Sequence, residues 1–282
     1  MNFVDLFCGM GGASCGAVAA GMRVALAVDA CPRALETHRQ NHPDATHICA
    51  TLPVKHLPLP PAPRHIHASP PCQKLSRANL NADDSEKERS VALVQWAVRF
   101  ARRHGTTWSL EQVDSARVRA CLDEEGIEYA VFDLSLFGLP QTRRRLLAGS
   151  SAIVALLRAY SSPRRGVRDV IAACRGTHVR NRHAKHPVMR GGVRTYVACA
   201  GEQSARSIVE PAYCVTGTSA IKWWSPGDAR CVVLSARELA LLQSFPHDYC
   251  LHRIRKYATI QVGNAFPPLV AELVCRAAAT GR

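Results

Sequence analysis

Apolar residues fall in short runs along the first half of the chain, and most runs are followed by a stretch with helical spacing. "NFVDLF" (2–7) is a compact apolar run with two phenylalanines and a β-branched residue, which predicts a buried strand. Past the turn "CGMGG", the small-residue segment "ASCGAVAAG" (13–21) predicts a helix that stops at Gly21. "MRVALAVDA" (22–30) reads as a second strand, and "CPRALETHRQNH" (31–42) as a helix with Pro32 in its first turn. The proline-rich "LPLPPAPR" (57–64) is a loop before the short strand "HIHA" (65–68). "SEKERSVALVQWAVRFARRHG" (85–105) predicts a long helix, with acids near its start, Arg102, Arg103 and His104 near its end, and Gly105 as the stop. "TTWSLEQV" (106–113) and "YAVFDLSLFG" (129–138) give further strands around the helix "DSARVRACLDEEG" (114–126). Such alternation builds an α/β domain with a doubly wound, Rossmann-like, mostly parallel sheet.

The alternation stops near residue 160. A basic stretch follows in short β-like runs such as "RTYVACAG", with no clear helix. Helical spacing returns in "LSARELALLQSF" (234–245) and in "LVAELVCRAAA" after "QVGNAFPP". The expected division is a large domain over 1–157, a small, mainly irregular or β domain over 158–233, and a C-terminal return to the large domain over 234–282.

Charge sharpens that division. The 282 residues carry a net charge of +14, which points to a polyanionic partner such as nucleic acid. Residues 158 to 194 hold ten Lys/Arg (Arg158, Arg164, Arg165, Arg168, Arg175, Arg180, Arg182, Lys185, Arg190, Arg194) against the single acid Asp169. The small domain is therefore expected to present an ordered basic surface. No apolar run reaches bilayer length and the N-terminus lacks signal-peptide features, so an intracellular protein is expected, whether cytoplasmic, nucleoid-associated or nuclear. The twelve cysteines are scattered without a Cys-x-x-Cys pair, as reduced thiols would be. No metal is expected, and the pairs His38/His42 and His183/His186 read as solvated surface histidines.

Four stretches can carry chemistry. In "DLFCGMGG" the residues Gly9, Gly11 and Gly12 allow a sharp turn beside a helix N-terminus, and Asp29, at the end of the next strand, could accept from ribose hydroxyls. A nucleoside cradle and a plain strand–helix turn both fit that pattern. In "SPPCQ", Pro70 and Pro71 end a strand and hold Cys72 in a loop at the sheet edge where such folds bind ligands. A nucleophile and a buried structural thiol both remain open there. "WSLEQV" brings Glu111 to the same edge, as an acid–base group or a solvated carboxylate. "GLPQTRRRLL" places Arg143 and Arg145 two apart, aimed into the crevice or decorating a basic surface.

Together and in this order, these stretches resemble the cytosine-5 DNA methyltransferases over nearly the whole chain. "DLFCGMGGASCG", "DACPRALETHRQNHP", "SPPCQ", "EQV", "GLPQTRRRLL", "LSARELALLQSFPHDY" and "QVGNAFPP" are similar to successive family motifs. The resemblance implies S-adenosylmethionine as cofactor, held by Phe7, Gly9, Gly11, Gly12, Asp29, Pro71, Asn264 and Ala265. It implies Cys72 as nucleophile, with Glu111, Arg143 and Arg145 as the other catalytic residues, and Gln73, Ser76 and Gln141 on the substrate. It also implies that the basic segment is a target-recognition domain and that the partner is double-stranded DNA bound by a monomer, with room for a cognate restriction endonuclease whose presence the sequence leaves open. The tRNA-methylating branch of the same family and a non-catalytic DNA-binding relative are the alternatives. The former typically carries a Cys-Phe-Thr tripeptide that is absent here. The chain departs from the pattern at Gln112, where asparagine is usual, at Lys74-Leu75, where Gly-Phe is usual, and at Thr51, near where an acid is usual.

Overall fold

A computed structural model describes residues 1–75, 83–181, 185–190, 193–198, 205–219, 221–225 and 232–280. Seven strands make the central sheet: β1 (Asn2–Leu6), β2 (Arg23–Asp29), β3 (Thr46–Cys49), β4 (Arg64–Ala68), β5 (Thr107–Gln112), β6 (Tyr129–Asp133) and β7 (Arg144–Gly149), in the order β3-β2-β1-β4-β5-β7-β6. The neighbours from β3 to β5 pair in parallel, as the alternation predicts.

β7 breaks that run, pairing antiparallel with both β5 and β6. Its link to β6 holds only a 3-10 turn over Leu134–Phe137. A parallel crossover needs a dozen residues or more, so this short link can only double the chain back. Besides β7, three elements that the apolar pattern leaves unassigned complete the domain: β3, α5 (Ser151–Ala159) and α7 (Arg255–Asn264).

Helices cover both faces of the sheet. α3 (Asp84–His104), capped by Asp83, and α4 (Ala116–Glu124) close one apolar cluster over Val4, Leu6, Ile66, Ala68 and Leu110. The opposite face lies under α1 (Gly12–Ala19), α5 and α8 (Pro268–Thr280), with Phe3, Leu147, Phe266 and Val270 in its cluster. The remaining helix on the sheet, α2 (Pro32–Asn41), turns His38 inward.

The His38/His42 expectation is therefore corrected. His38 is buried between His47 and the Ser14 hydroxyl, at 2.8 and 3.0 Å, and His42 lies 3.3 Å from the Tyr249 hydroxyl. The helical repeat that places the two rings on one face turns that face to the protein rather than to water. His183 lies outside the described residues.

Beyond α5 the basic segment forms strands, as expected: β8 (His178–Asn181), β11 (Ala205–Ser207), β12 (Ile221–Trp224) and β13 (Val232–Val233) in one sheet, and the hairpin of β9 (Lys185–Arg190) and β10 (Val193–Ala198). Its core is shared with the chain that follows. Val179, Val215, Ile221 and Trp223 cluster with Leu239 and Leu242 of α6 (Ala236–Leu242) and with Val262 of α7. Trp223 Nε1 donates to Glu238 Oε1 at 3.0 Å, so α6 is held to the strands by a buried polar bond as well. Among the described residues no helix is long and apolar enough to cross a membrane.

Candidate active site

The carboxyl ends of β1, β4 and β5 converge on one edge, where a parallel sheet leaves its crevice. β4 stops at Ala68, and Ser69-Pro70-Pro71 carries the chain to a half-buried Cys72. Gln112 Nε2 donates to the Pro70 carbonyl at 3.0 Å, so the residue that replaces the usual asparagine ties the Cys72 loop to β5. Leu75 N donates to Cys72 O at 3.0 Å and the Leu75 side chain is buried in the α3 cluster. Lys74 pairs with Glu86 on α3 at 2.6 Å. The two departures after Gln73 thus act as anchors, one apolar and one charged. Gln73 itself is exposed in the turn, and Ser76 lies outside the described residues.

Register explains the next contact. Glu111 stands opposite Leu147 in the β5–β7 ladder, and Arg145 lies two residues from Leu147 on the same face, within diagonal reach. Arg145 Nε donates to Glu111 Oε1 at 2.7 Å. Burial works against the charge on Arg145, but Glu111, Cys214 and Cys72 together outweigh it and raise the guanidinium's pKa. Burial pushes the Cys72 thiol up, Glu111 adds to that, and Arg145 and Arg143 pull it back only in part. The resting group is therefore a thiol at neutral pH.

Arg143 and Gln141 differ from expectation. Arg143 is 2% exposed and donates to the carbonyls of Val215 at 2.8 Å, Gly263 at 3.3 Å and Ala265 at 3.2 Å. It precedes β7 rather than lying in it, so it does not share the direction of Arg145. Only its Nε is left without a partner. Gln141 is fully buried, donating to Leu242 O and Gln243 Oε1 and accepting from Val215 N. Buried polar groups find internal partners, and here the partners are main-chain atoms of residues 215, 242, 263 and 265 and the Gln243 side chain. Both side chains clamp the 212–216 segment to the C-terminal return instead of lying open to the crevice.

The glycine turn has two parts. A Cβ at Gly9, at φ +55°, would meet nothing within 4 Å, whereas at Gly12 it would stand 2.1 Å from the Phe266 carbonyl oxygen. Gly9 borders open space and Gly12 is required by packing. Gly11, also buried, lies under Tyr249, whose hydroxyl donates to Met10 O at 2.6 Å. Asp29 accepts from Gly9 N at 2.8 Å and from Cys31 N at 2.7 Å, fixing the turn to the end of β2. Phe7, at φ +62°, sets its ring edge-on to Trp96. Asn264 is exposed at the end of α7, Ala265 beside it is buried, and Pro71 is exposed.

Sequence reasoning passed over His65 and His67, which sit buried directly beneath this edge, and Cys214, whose Sγ lies 3.7 Å from Arg143 Nη1. The period-two recurrence of histidine in "HIHA", against threonine and serine in "TTWS", is the signal that could have found the first two.

The model of the C-5 cytosine-specific DNA methylase family matches residues 1–108 and 166–279. The chain is 30% identical to the type II methyltransferase M.HgiDI of Herpetosiphon aurantiacus over 95% of its own length and 90% of the relative's. It is 24% identical to the type II methyltransferase M1.HphI of Haemophilus parahaemolyticus over 98% and 86% of the two chains. The solved structure of the S. pombe Dnmt2 methyltransferase superposes with a TM-score of 0.60 at 14% identity, covering 97% of this chain and 96% of that one, a likeness of fold. Matched on both sides of β5–β7, and to a relative across almost its whole length, the chain belongs to the C-5 cytosine-specific DNA methylase family.

Proposed function

We propose that this DNA cytosine methyltransferase moves a methyl group from S-adenosylmethionine to C5 of a cytosine flipped out of duplex DNA, with Cys72 as the covalent nucleophile. The observation that carries the reading is the Glu111–Arg145 pair, set on β5 and β7 beside the loop of Cys72. Bound S-adenosylmethionine supplies an electrophilic methyl group on a sulfonium. The open face at Gly9, with Asp29 fixed beside it, fits such a nucleoside, and Phe7, Pro71 and Asn264 border the same edge.

Cytosine C5 is a weak nucleophile. Addition of the Cys72 sulfur to C6 makes C5 enamine-like, able to take the methyl group. Loss of the C5 proton and elimination then release the thiolate. As the sulfur adds, the thiol proton is relayed through Glu111 to the ring nitrogen N3, neutralising the charge that develops there, and Arg145, oriented by Glu111, faces the O2 oxygen. Because Cys72 rests as a thiol, the nucleophile is formed only with the base in place. Arg143 and Gln141 hold the small domain's 212–216 segment in register, so their effect on substrate is exerted through position. Flipping the base costs a few kcal/mol, recovered in contacts along a basic surface. The ten cations of residues 158–194 suit that role for duplex DNA bound by a monomer, and the type II names of the relatives support a cognate restriction endonuclease.

Labelled S-adenosylmethionine, offered with duplex DNA or tRNA, tests this reading. Label is expected on cytosine C5 of DNA, and label on tRNA alone, on adenine or on neither overturns it. Cys72→Ser is expected to lower turnover by at least about 1000-fold while still binding the cofactor.

A further inference from the structure

The nucleophile loop has a further anchor, on the side of the sheet away from α3. Ser69 Oγ lies 2.8 Å from His67 Nε2. Behind His67 the chain of polar contacts is unbroken: His67 Nδ1 to Ser109 Oγ at 2.8 Å, Ser109 Oγ to His65 Nε2 at 2.8 Å, and His65 Nδ1 to Thr107 Oγ1 at 2.9 Å. Strand register creates it. His65 stands opposite Thr107 and His67 opposite Ser109, so the four side chains share one face of the sheet. The imidazoles are packed flat among aromatic rings. Phe266 lies 5.1 Å from His67 at 9°, and Phe3 lies 5.8 Å from His65 and 6.3 Å from His67. One ring therefore touches the segment after Asn264 on its face and the nucleophile loop at its edge.

We propose that His67 is a positioning residue for methyl transfer, fixing Ser69 and through it the place of the Cys72 thiol, in register with the 264–266 segment. The inference rests on Cys72 being the nucleophile. A rival role for the chain, storage of the thiol proton, does not fit. Burial pushes His67 down to about 3, and His65 likewise, so neither ring can hold a proton given up by a thiol that burial pushes up. Neutral rings each donate once and accept once, so every link is filled by one proton and breaking any link orphans a buried group.

The test uses DNA made with 5-fluorocytosine in place of every cytosine. With S-adenosylmethionine present, fluorine occupies the position of the proton that must leave after methylation, so the adduct accumulates and its rate of formation can be followed on a denaturing gel. Ser69→Ala and His67→Phe, the second keeping the stack, should slow adduct formation about 10-fold, since small misplacement of a reacting group is costly. Cofactor affinity and KM for DNA should stay within about twofold in both, and Ser69→Thr, which restores the hydroxyl, should recover most of the rate. A wild-type rate in Ser69→Ala, or a Ser69→Thr rate no better than that of Ser69→Ala, overturns the proposal. The serine pair decides it even if His67→Phe does not fold. Wild-type enzyme that methylates ordinary DNA but traps none of the fluorinated duplex would instead remove Cys72 as nucleophile, and this proposal with it.

Discussion

The two faces of the central sheet are both buried and both carry apolar clusters, yet along β4 and β5 they are built from opposite materials. On β4, Ile66 and Ala68 point toward α3 into a wholly apolar cluster, while His65 and His67 point toward Phe3 and Phe266. On β5, Trp108 and Leu110 face the first side and Thr107, Ser109 and Glu111 the second. The apolar face gains its stability from area, which is non-directional and tolerates rearrangement. The polar face depends on contacts of 2.8–2.9 Å that specify where each atom stands. It is the polar face that runs out into Ser69 and Glu111, at the edge where the chemistry is proposed. A directional face beneath a reactive edge transmits geometry; an apolar one mainly supplies cohesion.

Acid should expose the difference most strongly. Burial holds His65 and His67 near 3, with His42 at about 4 and His38 at about 2, all below the ordinary histidine value of 6.5. Below pH 6.5 the unfolded chain binds protons on these rings that the folded chain refuses. Stability therefore falls as pH drops from about 6.5 toward 3, by up to about 1.4 kcal/mol per pH unit for each ring. Asp5 works the other way. Burial raises its carboxyl to about 7, so its share of stability falls as pH rises from about 4 to 7. Four rings outweigh one carboxyl, and urea midpoints should decline from pH 6.5 to 4.5. Replacing His65 and His67 together by Phe should flatten that decline, and an unchanged slope would place its origin elsewhere.

Ile66→Ala probes the apolar face. Ile66 is wholly buried between the two histidines in sequence. Its truncation should cost about 2–5 kcal/mol in denaturant unfolding, while adduct formation per folded molecule stays at the wild-type rate. A loss of rate comparable to that of Ser69→Ala would show that the apolar face sets the loop as well.

Much of this contrast was beyond the reach of pattern. Short apolar runs and stop signals were enough for β1, β2, β4, β5 and the long helix α3, because local spacing decides those. An alternating strand ordinarily marks one solvated face, and nothing local says that "HIHA" meets "TTWS" across a ladder 42 residues away and buries both. The same limit hid the partners of Arg143 and Gln141. Their types and spacing are legible in "QTRRR", but the carbonyls that hold them come from residues 215, 242, 263 and 265. Cys72 and Glu111 were legible because one follows β4 by a short loop and the other lies near the end of β5, where topology alone assigns the edge. β7 was not, since its direction follows from the length of a link and not from any property of the strand.

The smallest effect is the sharpest test of the polar face as a connected chain. Thr107→Val keeps the shape of the side chain at the far end, removing the hydroxyl that meets His65 Nδ1 at 2.9 Å. Left alone, that buried nitrogen loses its partner, and unfolding free energy should fall by about 1–2 kcal/mol. With His65 already replaced by Phe there is no nitrogen to orphan, so the same valine should then cost close to nothing. The two changes should be strongly non-additive, as contacting groups in one network are. Additive costs would mean that the hydroxyl and the imidazole do not depend on one another. The polar face would then be a set of separate pairs, and only its last link, His67 to Ser69, could bear on the thiol.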